Sequence, residues 1–420
     1  MNIYIFNCSN TFNYGSMMMG ENFIRYFNAV SGKRHVYYVE TDDEINIQRL
    51  KYAARYDEIH GVEFNSLFVK GFRWYDYLPG LISLKKPVSD FAGRIDLVVV
   101  LGGDDFTEDY GWKAPVVYAL QFVLLRKAGL RVVMLGQTMG PFRSFRVPIM
   151  RLLLARMNRI YTRDHLTLNY LEGLGLNNVG TMDDLAMLPL TRQEEASARQ
   201  EQLPAQPGAY ITYCPSELIY RYTREGSRER WIQFNLFLLD AVLRRYPDKK
   251  LLLLAHVLKP DHVDDRRAVR ELKELLEEKH HGRILIADYE QYPFEARALI
   301  KKSYFMIAAR MHGSVSALQC GVPSLTLSYS SKFWGVIGES YGMRDYILDV
   351  RQMDDRQLRE RTLHMLDQLE ANLDLIRKTL KYKHTSAEKS IVSALREIAA
   401  LDQTCGCGNT ASGGPNAEGR

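Results

Sequence analysis

The chain has 420 residues, enough for two or three domains, and its 46% of hydrophobic and 25% of charged residues are typical of a soluble globular protein. Its 55 basic and 50 acidic residues leave a net charge of +5, a small excess for this length, so nucleic acid is not an expected partner. An aromatic content of 11% excludes an acidic, aromatic-poor disordered chain.

The start of the chain, its apolar runs and its cysteines indicate a cytoplasmic protein. Residues 1–6 have the pattern of a buried strand, without the basic and apolar regions of a secretory signal. The longest apolar runs, such as residues 251–255, are much shorter than the roughly 20 residues that cross a bilayer. The five cysteines are scattered and odd in number, which argues against a disulfide framework. Cys405 and Cys407 lie in a glycine-rich tail without further ligands, so we expect a disordered terminus there rather than a metal site.

Short apolar, β-rich runs alternate with helical patterns along almost the whole chain. In the first half, the predicted strands are residues 2–7, 35–40, 95–101, 131–135 and 159–162. The predicted amphipathic helices there are residues 115–127 and 145–157. Residues 95–101 are almost continuously apolar, as in a strand that is buried on both faces of a parallel sheet.

A polar, proline-containing stretch at residues 191–208 predicts a linker, after which the alternation begins again. The second series of predicted elements comprises strands 209–214, 250–256, 283–288, 304–309 and 324–328 and helices 231–245 and 264–279. Two β-α-β series predict an α/β protein with two doubly wound, Rossmann-like domains that face each other across a cleft. The predicted divisions are domains 1–190 and 209–350, C-terminal helices 351–402 that pack back across the hinge, and a disordered tail 403–420.

Ligands of doubly wound domains bind at the carboxyl ends of the strands, and one strand end is especially rich in functional groups. There, Arg310 and His312 are two residues apart, so both point to one side of an extended chain, and Gly313 and Ser314 open the next helix. Together with the helix N-terminus they predict an anion site, in which Arg310 binds bidentately and His312 supplies a proton near neutral pH. A structural salt bridge and a capping histidine on an ordinary strand–helix turn explain these residues equally well.

Two further strand ends carry charged side chains. Arg163 leaves a strand where Asp164 can cap the following helix, although an ordinary Arg–Asp pair at a helix start is the simpler alternative. Asp104 and Asp105 follow two glycines that allow close approach of the backbone to a ligand, and the two acids are suited to orienting hydroxyls. We expect no metal at these aspartates, because no nearby histidine or third carboxylate completes a site.

The remaining candidates lie in glycine-containing or polar loops after other predicted strands. They are Asn13, Gly15, Gln137, His256, Tyr329 and Lys332. A solvated lysine and a satisfied buried histidine remain the alternatives for Lys332 and His256. None of these loops carries a dinucleotide fingerprint or a P-loop, so no cofactor is expected.

An ordered series of these motifs resembles the polysaccharide pyruvyl transferase family over residues 10–345. The matching pieces are Asn13-x-Gly15, Gly102-Gly103-Asp104, Gly136-Gln137-x-x-Gly140-Pro141, Arg163-Asp164, Arg310-x-His312-Gly313, Gly321-x-Pro323 and Tyr329-x-x-Lys332. The resemblance implies a GT-B-like fold and the transfer of the enolpyruvyl carbons of phosphoenolpyruvate to two sugar hydroxyls, as a cyclic ketal, with release of phosphate. By motif it assigns Arg163, Arg310 and His312 to donor binding, and it implies that domain 1–190 forms the acceptor side of the cleft and domain 209–350 the donor side.

This chemistry suggests specific roles for the residues. We hypothesise that His312 protonates the methylene carbon of the donor or pairs with its phosphate, while Asp104 or Asp105 orients the acceptor hydroxyls. The chain departs from the family pattern at Ser16 and Thr138, in loops expected to touch the acceptor.

Two other functions and one further partner fit the same sequence. The alternatives are a GT-B glycosyltransferase with a nucleotide-sugar donor and a non-catalytic glycan-binding protein on a transferase fold. The helix at residues 145–157, with Arg146, Arg151 and Arg156, would permit peripheral contact with an anionic membrane or a lipid-linked acceptor. A helix that simply packs on the sheet is the commoner explanation.

Overall fold

A computed structural model describes residues 1–41, 43–62, 86–109, 111–195 and 206–401. Its first seven strands form one sheet, in which all pairs are parallel and the order is β3-β2-β1-β4-β5-β6-β7. They are β1 (Asn2–Phe6), β2 (Val36–Val39), β3 (Ile59–Gly61), β4 (Leu97–Val100), β5 (Arg131–Gln137), β6 (Arg159–Thr162) and β7 (Val179–Thr181). The strand order reverses between β1 and β4, which is where doubly wound sheets bind ligands.

Helices alternate with these strands, as parallel pairing requires. They are α1 (Tyr14–Ser31), α2 (Glu44–Ala54), α3 (Lys86–Ala92), α4 (Lys113–Lys127), α5 (Arg146–Leu154) and α6 (His165–Gly173). The side chains of β1 alternate between the two faces of the sheet: Ile3 and Ile5 join one apolar core, and Tyr4 and Phe6 join the other. The sheet is therefore buried on both faces, as the continuous apolar pattern of β4 predicts.

The second sheet repeats this design, with all pairs parallel and the order β10-β9-β8-β11-β12-β13. Its strands are β8 (Tyr210–Cys214), β9 (Lys250–Leu254), β10 (Ile284–Ala287), β11 (Ser303–Ala308), β12 (Ser324–Ser328) and β13 (Ile347–Asp349). Its helices are α7 (Arg228–Arg245), α8 (Arg266–Glu277), α9 (Pro293–Ile300) and α10 (Met311–Gln319), and a π-helical turn spans Trp334–Ser340. The order reverses between β8 and β11.

Two C-terminal helices, α11 (Asp355–Ala371) and α12 (Leu373–Ala400), connect the two sheets. Helix α11 pairs with α7 through Arg245, which forms ion pairs with Asp367 and Glu370. Helix α12 reaches the first sheet, where the Tyr161 hydroxyl donates to Glu397 at 2.7 Å. The chain therefore returns from the second sheet to the first.

The predicted fold class is confirmed: the protein is α/β, with two doubly wound parallel sheets and a C-terminal helical segment. The strands that sequence patterns did not predict are β3, β7 and β13, which have three residues each and are too short to show a period. The domain boundaries stay predictions, and residues 196–205 of the linker and 403–420 of the tail lie outside the described residues. No helix among the described residues is long and apolar enough to span a membrane.

Candidate active site

A polar cavity of about 240 Å³ opens where loops from both sheets meet. Its walls come from the carboxyl ends of β1, β4 and β6, the start of α10 and the loop after β12. In each sheet, strands next to the point where the strand order reverses thus direct their carboxyl ends toward this one cavity. Six of the predicted residues line it: Asn13, Asp104, Asp105, Arg163, His312 and Lys332.

One wall of the cavity contains a buried cluster of three ionisable side chains: Arg163, Asp184 and His312. The Nη1 of Arg163 donates to Oδ2 of Asp184 at 2.8 Å, and Nε2 of His312 lies 3.5 Å from the same oxygen. The Nε of Arg163 also donates to the Thr138 hydroxyl at 2.9 Å. Both members of the Arg163–Asp184 pair are 1% exposed, so their attraction is weakly screened by water.

Asp184 is the counter-charge of this group. Burial alone raises the pKa of its carboxyl, but the nearby imidazole of His312 and the charge of Arg163 hold that pKa well below its usual range. The backbone N–H of Ala186 donates to the other carboxylate oxygen at 2.8 Å and further favours the anion. The anionic Asp184 thus lies between the guanidinium of Arg163 and the imidazole of His312.

The position of the His312 ring depends on a glycine of helix α1. A Cβ on Gly15 would lie 2.1 Å from Nδ1 of His312, so only a residue without a side chain leaves space for the imidazole. Asn13 caps this helix, since its side-chain oxygen accepts from the Gly15 N–H at 3.1 Å. The predicted Asn13-x-Gly15 motif therefore brings the first sheet against the histidine of the second.

The opposite wall carries Asp104 and Asp105. Lys332 reaches Oδ2 of Asp104 at 3.0 Å, which joins the loop after β12 to the loop after β4. Asn7 donates to Asp105 at 3.0 Å from a left-handed backbone conformation with φ of 67°, which asparagine tolerates better than most residues. Burial and the charge of Asp104 raise the pKa of Asp105 to about 6, against the opposing charge of Lys332.

Gly102, the first of the two glycines before these acids, permits the close packing of two loops. A Cβ on Gly102 would lie 2.3 Å from the backbone oxygen of Gly136, so the loops after β4 and β5 approach each other too closely for a side chain. Gln137 stabilises the same junction, because its buried amide donates to the carbonyls of Val100 and Leu101 at 2.9 and 3.0 Å. Gln137 is fully buried beneath the cavity and does not line it.

Arg310 does not line the cavity and pairs with Asp265, 45 positions earlier in the chain. Its Nη2 donates to Oδ1 of Asp265 at 2.6 Å and its Nε to Oδ2 at 3.0 Å. Asp265 is fully buried and also accepts from the backbone of Glu217 and Val257. Arg310 thus forms a structural ion pair with Asp265 at the start of α10. The assignment of Arg310 to donor binding stays a prediction.

The next two residues of the same motif pack helix α10 against the second sheet. A Cβ on Gly313 would lie 3.1 Å from the sulfur of Cys214, so glycine permits close packing on β8. The hydroxyl of Ser314 is buried and lies 2.8 Å from that of Thr326 on β12. Both residues thus anchor the helix that carries His312, and neither lines the cavity.

His256 and Tyr329 also lie behind the cavity wall. The His256 ring is buried beside Tyr14, and burial, followed by the charges of His312, Arg310 and Arg297, moves its pKa well below the usual value. His256 is therefore neutral at physiological pH. The Tyr329 ring is buried and stacks on Tyr222 at 5.3 Å between centroids. Lys332 lies 5.4 Å from the centre of the Tyr329 ring, so this tyrosine helps to orient the lysine.

Sequence patterns missed three residues that are central to this arrangement: Asn7, Asp184 and Asp265. Asp184 follows β7, a strand of three residues that shows no pattern of its own. Asp265 lies at the start of a predicted helix, where an ordinary cap is the expected function. Asn7 is the last residue of the first predicted strand and directly follows the observed β1, and this position at a strand end is the signal that could have identified it. Among the described residues, no group of three His, Cys, Asp or Glu side chains is arranged to hold a metal ion.

Comparison with solved structures defines the class of fold first. UDP-GlcNAc 2-epimerase from Neisseria meningitidis is 11% identical and aligns over 96% of this chain and 99% of its own length, with a TM-score of 0.58. HepE (Alr3699) from Anabaena is 12% identical and aligns over 96% of this chain and 99% of its own, with a TM-score of 0.53. At these identities the similarity concerns the fold alone, and it is the GT-B-like arrangement of two Rossmann-like units.

Sequence comparison then identifies the family. Residues 13–331 match the family described as polysaccharide pyruvyl transferase, and the chain belongs to that family. A curated relative, the amylovoran biosynthesis protein AmsJ of Erwinia amylovora, is 22% identical over 318 residues, which cover 74% of this chain and 75% of that protein. Family membership makes the protein a transferase of polysaccharide biosynthesis and confirms the resemblance inferred from the motifs.

Proposed function

We propose that the protein is a cytoplasmic enzyme that transfers the enolpyruvyl group of phosphoenolpyruvate to two hydroxyls of a sugar and forms a pyruvate ketal. The observation that carries this proposal is the composition of one cavity, where Arg163, Lys332 and His312 lie with Asp104 and Asp105. Cationic donors suit a small dianionic or trianionic substrate, and carboxylates suit the hydroxyls of a sugar. The family and a relative named for amylovoran biosynthesis support a polysaccharide acceptor.

The donor carries a carboxylate and a phosphate. Arg163 and Lys332 offer charge-assisted donors at the cavity wall, and the start of α10 adds backbone N–H groups beside His312. Arg163 is already bonded to Asp184, but a guanidinium has five N–H donors, so one carboxylate does not use its full capacity. Arg310 then acts as a positioning residue, because its pair with Asp265 holds the strand–helix turn that carries His312.

The first chemical step is protonation of the donor. His312 gives a proton to the methylene carbon, the C=C electron pair forms the new C–H bond, and C2 becomes an oxocarbenium-like centre. Asp184 stabilises the imidazolium before transfer, since the two groups are 3.5 Å apart. General acid assistance of this kind contributes about 10²–10⁴-fold in rate.

The acceptor then supplies two oxygens. The first hydroxyl oxygen bonds to C2, the C2–O bond to phosphate breaks, and the second hydroxyl oxygen takes its place to close the ketal. Two hydroxyl protons are lost: one restores the imidazolium of His312 and the other leaves with the phosphate. Asp105, whose pKa is about 6, is suited to accept a hydroxyl proton transiently near neutral pH, and Asp104 is held beside it by Lys332.

The test is acceptor-dependent release of phosphate from phosphoenolpyruvate, together with the mass of the glycan product. We expect a mass increase of one pyruvyl ketal on a suitable glycan and no release without it. Ligand-induced thermal stabilisation by nucleotide sugars, with no response to phosphoenolpyruvate, would instead identify a glycosyltransferase. Stabilisation by glycans alone, with no turnover of either donor, would identify a glycan-binding protein.

A further inference from the structure

Helix α5 carries apolar residues on two sides, and only one of these sides is covered. Met150, Leu153 and Leu154 are buried in the core of the first sheet. Phe145, Ile149 and Leu152 are exposed by 59%, 38% and 59%. Their spacing of four and three residues places them in one stripe along the helix. A surface helix normally presents polar residues to water, so this stripe is an apolar surface without a partner inside the described structure.

A tryptophan extends the stripe at its N-terminal end. The half-buried ring of Trp112 packs edge-on against Phe145, with 6.0 Å between ring centroids. The guanidinium of Arg146 lies 5.7 Å from the Trp112 ring and 5.5 Å from the Phe145 ring. Tryptophan and phenylalanine next to arginine form the combination that settles at the boundary between lipid headgroups and acyl chains. We name Trp112, Phe145, Ile149 and Leu152 the Phe145 face.

The surroundings of this face are basic. Residues 141–162 contain five arginines and no acidic residue. Arg146 is neutralised by its ion pair with Glu108 at 2.6 Å, but three other arginines of the segment are exposed. These are Arg143, Arg151 and Arg156. A surface that combines an apolar stripe with exposed arginines complements a lipid bilayer, because the arginines attract the anionic headgroups and the stripe fits the apolar interior.

We propose that the Phe145 face docks the protein on the surface of an anionic lipid bilayer. Phe145, Ile149 and Leu152 enter the headgroup boundary, and Arg143, Arg151 and Arg156 contact lipid phosphates. The binding is peripheral, because the face consists of one short helix of nine residues with Phe145 and Trp112 at its N-terminal end.

The position of this face relative to the cavity gives the docking a function. The loop after β4 carries Asp104 and Asp105 in the cavity, and Glu108 and Trp112 of the same loop contact α5. Docking therefore brings the acceptor side of the cavity close to the bilayer. If the proposed transfer reaction is correct, this placement favours an acceptor sugar that is carried on a membrane lipid; this consequence rests on the proposed function, whereas the docking itself does not.

Vesicle flotation with the full chain tests the docking. We expect binding to vesicles with about one third phosphatidylglycerol, and at least about tenfold weaker binding to pure phosphatidylcholine vesicles or at 0.5 M salt, where charges are screened. Two variants should each weaken binding by a similar factor. They are the double variant Phe145→Ser/Leu152→Ser and the triple variant Arg143→Glu/Arg151→Glu/Arg156→Glu.

Matched controls remove the same kinds of group elsewhere. Leu375 and Tyr382 on α12 are exposed by 63% and 75%, so Leu375→Ser/Tyr382→Ser removes a comparable apolar area, and it should bind as the native chain does. Arg244→Glu/Arg270→Glu/Arg356→Glu makes the same change in net charge at other exposed sites and should retain most of the binding.

Three outcomes would overturn the docking proposal. The first is no binding of the native chain to anionic vesicles, and the second is unchanged binding of both α5 variants. The third is a native dimer in light scattering that Phe145→Ser/Leu152→Ser converts to a monomer, since the Phe145 face would then join two copies of the chain. The transfer reaction is measured separately, with a water-soluble acceptor in the absence of lipid. The α5 variants should keep that activity, so failure of docking and failure of the proposed function give different results.

Discussion

At the scale of single residues, His312 is the group on which the proposed chemistry depends most. His312→Gln keeps a polar side chain of similar size but cannot carry a proton at neutral pH, so we expect turnover to fall by about 10²–10⁴-fold. Phosphate release at saturating phosphoenolpyruvate measures the effect, and the thermal unfolding midpoint serves as the control for folding. Near-native turnover in this variant would assign the acid to another residue.

Gly15 offers a more stringent test of the same site, because it has no reactive group and only leaves room for the His312 ring. Gly15→Ala places a Cβ where Nδ1 of His312 lies, at 2.1 Å, and the imidazole must move. We expect kcat to fall by at least about tenfold, since displacement of a catalytic group by about 1 Å can cost 10²-fold. Gly173→Ala is the matched control, as a Cβ there meets nothing within 4 Å, and it should leave kcat unchanged. Equal kcat values for the two variants would remove His312 from the catalytic step.

The pH dependence of the reaction tests Asp105. Its pKa of about 6 means that the carboxylate form, which can accept a proton, is lost as the pH falls through that value. We therefore expect kcat/KM to decrease on the acid side with a midpoint near pH 6, and Asp105→Asn to remove this acid limb along with most of the activity.

Glu40 is the control for this assignment. Burial raises its pKa to about 7, and it accepts from the backbone of Asn7 at 3.4 Å, yet it does not line the cavity. Glu40→Gln should leave the acid limb in place. If the decrease in kcat/KM at low pH disappears in Glu40→Gln and persists in Asp105→Asn, the base has been assigned to the wrong carboxyl.

At the scale of secondary structure elements, the residues that follow strands were the most predictable part of the site. Asp104, Arg163 and His312 each follow a buried strand, and the carboxyl ends of parallel strands share one edge of a sheet. Six predicted residues consequently line one cavity. Gln137, Gly313 and Ser314 belong to the same motifs but face the inside of their own loops and helices. A local pattern shows where a strand ends, but it does not show which side of the turn faces a ligand.

Contact between two elements at the edge of the site gives a prediction at this scale. Gly335, in the π-helical turn, faces Asp164, the cap of α6, and a Cβ at this glycine would lie 2.4 Å from the Cβ of Asp164. Gly335→Ala should lower the free energy of unfolding by about 1–3 kcal/mol, because neither backbone can yield easily. Urea unfolding measures this loss. Gly338→Ala in the same turn is the control, since its nearest neighbour is 3.4 Å away, and it should cost much less. The reverse order would show that the turn is free to move.

At the scale of the whole molecule, a buried arginine links the two halves of the chain. Arg297 of α9 is fully buried and donates to the carbonyl of Leu188 at 2.9 Å, to Oε1 of Gln193 at 3.1 Å and to the carbonyl of Ala186. These three acceptors belong to the segment that follows the first sheet, whereas the Ser316 hydroxyl, which accepts from Nε of Arg297 at 3.4 Å, lies on α10. The relative placement of the sheets, and hence the width of the cavity, therefore depends in part on one side chain.

Removal of this side chain should destabilise the whole protein. Arg297→Met fills a similar volume but leaves its buried acceptors unpaired, at about 1–3 kcal/mol each, so we expect the free energy of unfolding to fall by about 3 kcal/mol or more. Urea unfolding followed by circular dichroism checks this. Arg356→Met, at a side chain that is 85% exposed, is the control and should have almost no effect. Comparable midpoints for the two variants would mean that Arg297 does not connect the halves.

The amino-acid sequence by itself determined the fold class, the two β-α-β series and the strand ends that carry Asp104, Arg163 and His312, because these depend on hydrophobic period and local turns. Tertiary structure alone decided the partners of those groups. Asp184 lies 21 positions from Arg163, and Asp265 lies 45 positions from Arg310. Each pair forms only when separate strands come together in one sheet. The physical reason is that local patterns control which backbone conformation a segment adopts, whereas the choice of charge partner depends on which buried groups the completed fold brings within a few ångströms.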